Sequence, residues 1–315
     1  MLWRWLHQKE SKVKKKVTIL KHSSDPIFVT RFETILQAFL YGYHSVLQPK
    51  LDMEQTKRKV NAQYDVFFRG FAYEGMGMGL GARTLYKRSE KKVFEHHIHA
   101  LSPAYLYQYY VGLGWWLFVR YRFRTEGYRK WLLHLHPVYQ SIVFDGVGFH
   151  TSLFQTPLQD IVKKYAAFGP DHERVCYQGL GRCLWFQHQF HIQRIIQALP
   201  MFHRRFHADI MSGVGLAAAY SCFDRLPWIF QTRASIPAHL LPAYSQGLAF
   251  GLQARKLQTP DFPSTISHLT DTTEKKIQQW LTIIDDVYDQ LYHQSKQQLY
   301  LTWLDQVRAR LSEAN

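Results

Sequence analysis

YEGMG at 73–77, YVGLG at 110–114, FDGVG at 144–148, YQGLG at 177–181 and MSGVG at 211–215 are five versions of one motif. Each has an aromatic or large apolar residue two places before its first glycine and a second glycine two places after it. Taken with Gly42 and Gly247, the leading glycines are spaced by 33, 37, 34, 33, 34 and 34 residues. Pro103, Pro137 and Pro170 each stand nine residues before their glycine. Self-similarity at a fixed period of about 20–50 residues is the mark of a repeat architecture.

A period near 34 residues fits two helices and two turns. Between Phe190 and Ala219, Ile192, Ile195, Ile196 and Leu199 recur at helical spacing, Pro200 interrupts, and Phe206, Ile210, Val214, Leu216 and Ala217 start a second periodic run. In three repeats the proline falls where the second helix should begin, which is where a helix tolerates it. The expected fold is all-α: about seven tandem helical hairpins forming an α/α solenoid, closed by a C-terminal helical cap. The glycine pair then lies inside the second helix, where each glycine costs about 1 kcal/mol relative to alanine. Close approach of a neighbouring helix or of a ligand would offset that cost. A phosphate-loop reading fails, because no β-branched strand run precedes any pair and no GKS/T follows.

The expected organisation is a basic tail at 1–28, a repeat domain at 29–265 and capping helices at 266–315. Asp271 with Glu274 resembles a capping box ahead of the amphipathic run Ile277, Trp280, Leu281, Ile284, Val287, Tyr288 and Leu291, and a last helix is expected over Leu299 to Leu311. Three cysteines, Cys176, Cys183 and Cys222, are odd in number and lack metal spacing, which fits a reducing cytoplasm and no disulfide framework. No stretch is apolar enough to span a membrane, and the first residues lack the apolar core of a signal peptide. Trp3 and Trp5 beside Lys12, Lys14, Lys15 and Lys16 suit peripheral contact of residues 1–16 with an anionic membrane, or a solvated basic tail. The net charge of +15 favours acidic partners, but the cations are scattered and no nucleic-acid-binding signature accompanies them, so no nucleic acid is expected.

The ordered segments FLYGY (39–43), GFAYEG (70–75), YVGLGW (110–115), FDGVGFH (144–150), QGLGRCLWF (178–186), SGVGLAAAY (212–220) and QGLAFG (246–251) resemble a bacterial family of unknown function carried in enediyne polyketide biosynthesis clusters. The resemblance spans about residues 30–256 and implies a cytoplasmic accessory role in making or maturing a long polyene or polyyne chain. It supplies no catalytic mechanism.

The residue before the leading glycine is polar in five repeats: Glu74, Asp145, Gln178, Ser212 and Gln246. These groups either line one face of the array as a site or tie neighbouring helices together. Neighbouring helices lie about 8–10 Å apart, which leaves Glu74 and Asp145 too distant to act as a carboxylate pair in an open array. His150 has the chemistry for proton transfer and Arg182 for holding a carboxylate or phosphate. Glu74, Asp145 and His150 are the catalytic candidates, with Asp145, His150, Gln178 and Arg182 the preferred cluster. Tyr73, Tyr110, Phe144 and Tyr177 recur at one position and would form an aromatic wall for a long apolar polyene, with Gln178, Gly181 and Arg182 completing the ligand site. His96, His97 and His99, the pair His188 and His191, and the pair His203 and His207 carry no established metal motif, so neither metal nor other cofactor is expected. Two functions remain open. One is an accessory protein that binds or processes an apolar polyene or polyketide intermediate in a concave groove, alongside other proteins of the cluster. The other is a helical-repeat scaffold for a protein or membrane surface. The sequence leaves enzyme and binding protein undecided.

Overall fold

A computed structural model of the chain describes residues 13, 15, 17, 23, 25–87, 89–154, 157–292 and 299–313. All regular elements among them are helical. Chain contacts divide the protein into two compact units, 1–155 and 156–315, inside the span expected to be one repeat domain. Trp3, Trp5, Lys12, Lys14 and Lys16 lie outside the described residues, and with them the expected membrane contact.

The first unit holds α1 (Pro26–Ser45), α2 (Met53–Gln63), α3 (Val66–Arg83), α4 (Glu90–Leu101), α5 (Leu106–Tyr121), α6 (Thr125–Leu132) and α7 (Ile142–Phe154). Helix α1 starts inside the stretch expected as tail, because the Asp25 carboxylate accepts from the Ile27 and Phe28 amides and Pro26 takes the first turn. Long helices α1, α3, α5 and α7 each pack on the next, and the shorter α2, α4 and α6 link them.

The second unit repeats the plan with α8 (Leu158–Val162), α9 (Pro170–Gln187), α10 (Ile192–Ala198), α11 (His207–Ser221), α12 (Leu226–Arg233), α13 (Leu241–Gln258) and α14 (Phe262–Ile266). Helices α9, α11 and α13 are the packed series, and α15 (Asp271–Tyr292) and α16 (Leu299–Glu313) pack on each other and on α13. Asp271 is already helical and so does not cap: the helix starts from Thr270, whose carbonyl accepts from the Glu274 amide.

The glycines explain the packing. Residues two apart on a helix are about 200° apart, so the pair points to opposite sides. A methyl built on Gly75 would lie 1.8 Å from the Phe39 carbonyl oxygen of α1, and one on Gly77 would lie 2.1 Å from that of Tyr109 on α5. The contacts are reciprocal. Gly42 meets the Ala72 oxygen at 1.8 Å, and Gly112 meets that of Glu74 at 1.8 Å. Gly114 faces Val143 and Gly146 faces Val111; in the second unit Gly181 faces Ile210, Gly213 faces Gln178, Gly215 faces Tyr244 and Gly247 faces Ser212. In every case the carbonyl belongs to the residue three places before the opposing glycine. The first glycine therefore faces the preceding helix, the second the following one, and backbones touch without intervening side chains. Such Cα–H to carbonyl contacts contribute about 0.5–1 kcal/mol each.

This geometry corrects one alignment. Gly42 faces the following helix, so it corresponds to the second glycine of the later repeats, with Leu40 at the place of the first.

Candidate functional site

Helical phase assigns each candidate a direction. With the first glycine aimed at the preceding helix and the second at the following one, the residue before the pair projects from one flank of the helix. The aromatic two places before the pair points elsewhere, between the following helix and the linking segments.

The aromatic wall is core. Tyr73 is fully buried, its ring stacked on Tyr105 at 4.0 Å and edge-on to Tyr109 at 5.6 Å, with its hydroxyl donating to Asn61 Oδ1 at 3.1 Å. The Tyr110 hydroxyl donates to the Glu95 carboxylate, which also accepts from the His136 amide at 3.0 Å. Phe144 stacks on Tyr128 at 5.4 Å. Tyr177 stacks on Phe206 at 3.8 Å and meets Tyr165 edge-on at 5.5 Å; burial, with Glu173 adding, pushes its phenol up to about 12. Each ring has an aromatic partner from the linkers or the adjacent helix, so the four pack the interior and do not wall an open groove. Gly181 is corrected on the same ground, since a methyl there would lie 1.9 Å from the Ile210 carbonyl oxygen. Its missing side chain accommodates a helix, not a ligand.

The polar residues are buried too. Glu74 is 4% exposed and Asp145 2% in the first unit; Gln178, Ser212 and Gln246 are at 1%, 1% and 0% in the second. Asp145 and His150 are five residues apart on α7, about 140° around the helix, and they belong to a different unit from Gln178 and Arg182. His150 sits among the rings of Trp115, Phe118 and Phe154, at centroid distances of 5.2, 5.3 and 5.0 Å. That is the surrounding of a core histidine. Gln178 and Arg182, one turn apart on α9, do share a face.

In the second unit the polar flank is covered by α16. The Gln178 amide and the Tyr300 hydroxyl exchange hydrogen bonds at 3.2 and 3.3 Å. Arg174 holds Asp209 with Nε at 3.2 Å and Nη2 at 3.0 Å, and reaches Asp305 of α16 at 2.8 and 2.7 Å. Arg308 of α16 places Nη2 3.3 Å from Gln246 Oε1 and 3.7 Å from Asp209 Oδ1. The Asp305 hydrogen bonds, working against burial, lift the Arg174 guanidinium above its ordinary value, with Asp209 adding to the lift. Burial pulls the Asp305 carboxyl up, but Arg174 more than offsets this and holds it below the usual carboxylate value. Arg174, Asp209, Asp305 and Arg308 carry no sequence motif, and the partners lie up to 131 residues apart, so no local pattern announced the network.

Among the described residues no group of three or more His, Cys, Asp or Glu side chains is placed to hold a metal ion. His203 Nδ1 accepts from the Arg205 amide at 3.3 Å, and the His207 ring lies 2.9 Å from the Phe202 carbonyl, so both rings cap backbone. The three cysteines are buried, and none forms a disulfide. No described helix is long and apolar enough to cross a membrane.

One further concavity escaped the sequence reading. Tyr41, His44, Ser45, Gln48, Lys50, Asp52, Thr56 and Lys59 surround an open cavity of about 310 Å³ where α1 turns into α2. Buried Arg83 pins its rim by donating to the Val46 and Gln48 carbonyls at 2.9 and 2.7 Å.

No curated protein and no solved structure matches the chain. A family model does, over residues 5–311, and the chain belongs to the family it describes, the protein of unknown function DUF1702.

Proposed function

We propose that this protein is a cytoplasmic accessory protein of enediyne-type polyketide biosynthesis that works as a rigid helical-repeat scaffold, binding an acidic protein partner of the pathway. One observation carries the scaffold half of this reading. The faces that would have formed a polyene groove are occupied by backbone-to-backbone helix contacts and stacked rings, from Gly75 against Phe39 to Tyr177 against Phe206. Helices packed backbone to backbone within each unit offer a stiff surface, and a net charge of +15 selects acidic partners. The pathway half rests on the ordered motif resemblance. This reading replaces the polyene groove as the leading function, because the wall residues are not available to a ligand.

The test is affinity capture by the purified protein from an extract expressing an enediyne-type polyketide synthase and its companion proteins, at low and at high salt. A stable, salt-sensitive complex with one acidic protein supports the scaffold. A protein that captures none of them, but retains a polyene in native mass spectrometry, sinks it and restores the groove.

A further inference from the structure

Beneath α16 the second unit buries three polar atoms that find no hydrogen-bond partner. Ser212 and Gln246 are 1% and 0% exposed, and Ser212 Oγ, Gln246 Nε2 and Arg308 Nε are buried atoms that meet no acceptor. Buried polar atoms are normally satisfied, at a cost of about 1–3 kcal/mol each when they are not, so three together call for a cause. They lie close to one another. The Arg308 guanidinium bridges Gln246 of α13 and Asp209 of α11, and Ser212 stands one turn beyond Asp209 on the same face. Ser212 also departs from its peers. Ser152 and Ser221 return their hydroxyls to the helix carbonyl four residues back at 2.7 Å each, whereas the buried Ser212 hydroxyl makes no such bond.

We propose that the seam between α11, α13 and α16 is a binding site for a carboxylate with an apolar tail, gripped by Ser212, Gln246 and Arg308. Two of the donors are neutral, and Arg308 already shares its charge with Asp209, so the seam matches a single negative charge better than a phosphate dianion. The tail follows from the neighbours. Phe250, one turn beyond Gln246, meets Trp303 of α16 edge-on at 4.7 Å, and Tyr288 closes on Trp303 at 5.2 Å. Helix α16 forms the outer wall, and a ligand enters only where α16 parts from α11 and α13. The site is independent of the scaffold reading.

Sodium octanoate is the probe, with 1-octanol as the control that keeps the tail and loses the carboxylate. Octanoate should raise the melting temperature with increasing concentration and slow amide exchange across residues 299–313, while octanol does neither. Ser212→Ala and Gln246→Leu should each weaken octanoate binding about tenfold, the loss expected for one hydrogen bond to a charged group. Ser212→Ala leaves the Arg308 contacts intact, so it reports even if Gln246→Leu folds poorly. An equal shift with octanol, an unchanged octanoate affinity in Ser212→Ala, or no octanoate shift at all would overturn the site. The last result is the one expected if only an internal water satisfies these donors.

Discussion

Replacing Gly213 with alanine should separate two helices that now touch through their backbones. The new methyl would lie 1.8 Å from the Gln178 carbonyl oxygen and 2.9 Å from the Arg182 amide nitrogen. Ordinary contact needs about 3.4 Å, and neither obstacle is a side chain that can rotate away, so α9 and α11 must part by about 1.5 Å along that direction. A gap of about 0.5–1 Å already forfeits a quarter to a half of each dispersion contact, and overpacking a dense interior costs about 1–3 kcal/mol even where side chains yield. Alanine returns about 1 kcal/mol through helix propensity. The net expectation is a loss of about 3 kcal/mol or more, read by urea unfolding followed by circular dichroism. Gly251→Ala is the graded control: its nearest atom, the Leu216 oxygen, is 2.7 Å away, and its loss should be clearly smaller. A Gly213→Ala protein as stable as wild type, or more stable by the propensity term, would refute backbone contact at this interface.

Removing the Arg174 guanidinium with Arg174→Met leaves Asp209, 6% exposed at its side chain, with only Arg308 at 3.7 Å, and should cost about 3–5 kcal/mol in a denaturation curve; Asp305→Asn, at a half-exposed carboxylate, should cost under about 1 kcal/mol. Tyr177→Ala should lose about 3–5 kcal/mol as a core truncation, and a loss under about 1 kcal/mol would return the ring to an open surface. Burial lowers the proton affinity of His136, His172 and His188 in the fold. The folded protein keeps them neutral, so their stability contribution is full above the unfolded value of about 6.5 and is lost as pH falls below it. Asp305, held low by Arg174, acts in the same direction further down, losing its contribution below about pH 4. Melting temperature should therefore fall on acidification from pH 7 to 5 and again below 4; His172→Gln should flatten the first step, and a flat profile between 7 and 5 would contradict the lowered proton affinity of these half-buried histidines.

The all-α repeat was legible because its signal is periodic and local: glycine, proline and the apolar beat recur within each unit. The final helix, expected over Leu299 to Leu311 and observed over Leu299–Glu313, was legible for the same reason. The site was not. Whether Tyr73 and Tyr177 face a groove or the core depends on which side of the helix the linkers cover, and helical periodicity fixes only relative angle. The Arg174–Asp305 pair joins residues 131 apart with no shared pattern. The glycine pair itself contained the answer to its own ambiguity. Two positions separated by about 200° cannot both open on one groove, but they can each receive a neighbour.

The same pair also carries a stop signal. Helices α3, α5 and α11 have a glycine toward each neighbour, but α1 has Leu40 where the backward-facing glycine would be, and α13 has Ala249 where the forward-facing one would be. A bare terminal helix that kept both glycines would offer its open side to the glycine face of a second molecule. That is the geometry of a heterologous contact that never closes and grows into fibres. Leu40 puts a side chain in that place on α1, and on α13 Ala249 is wholly buried, with α15 and α16 packed on the helix. Each unit thus encodes where its glycine seam ends as well as how it proceeds.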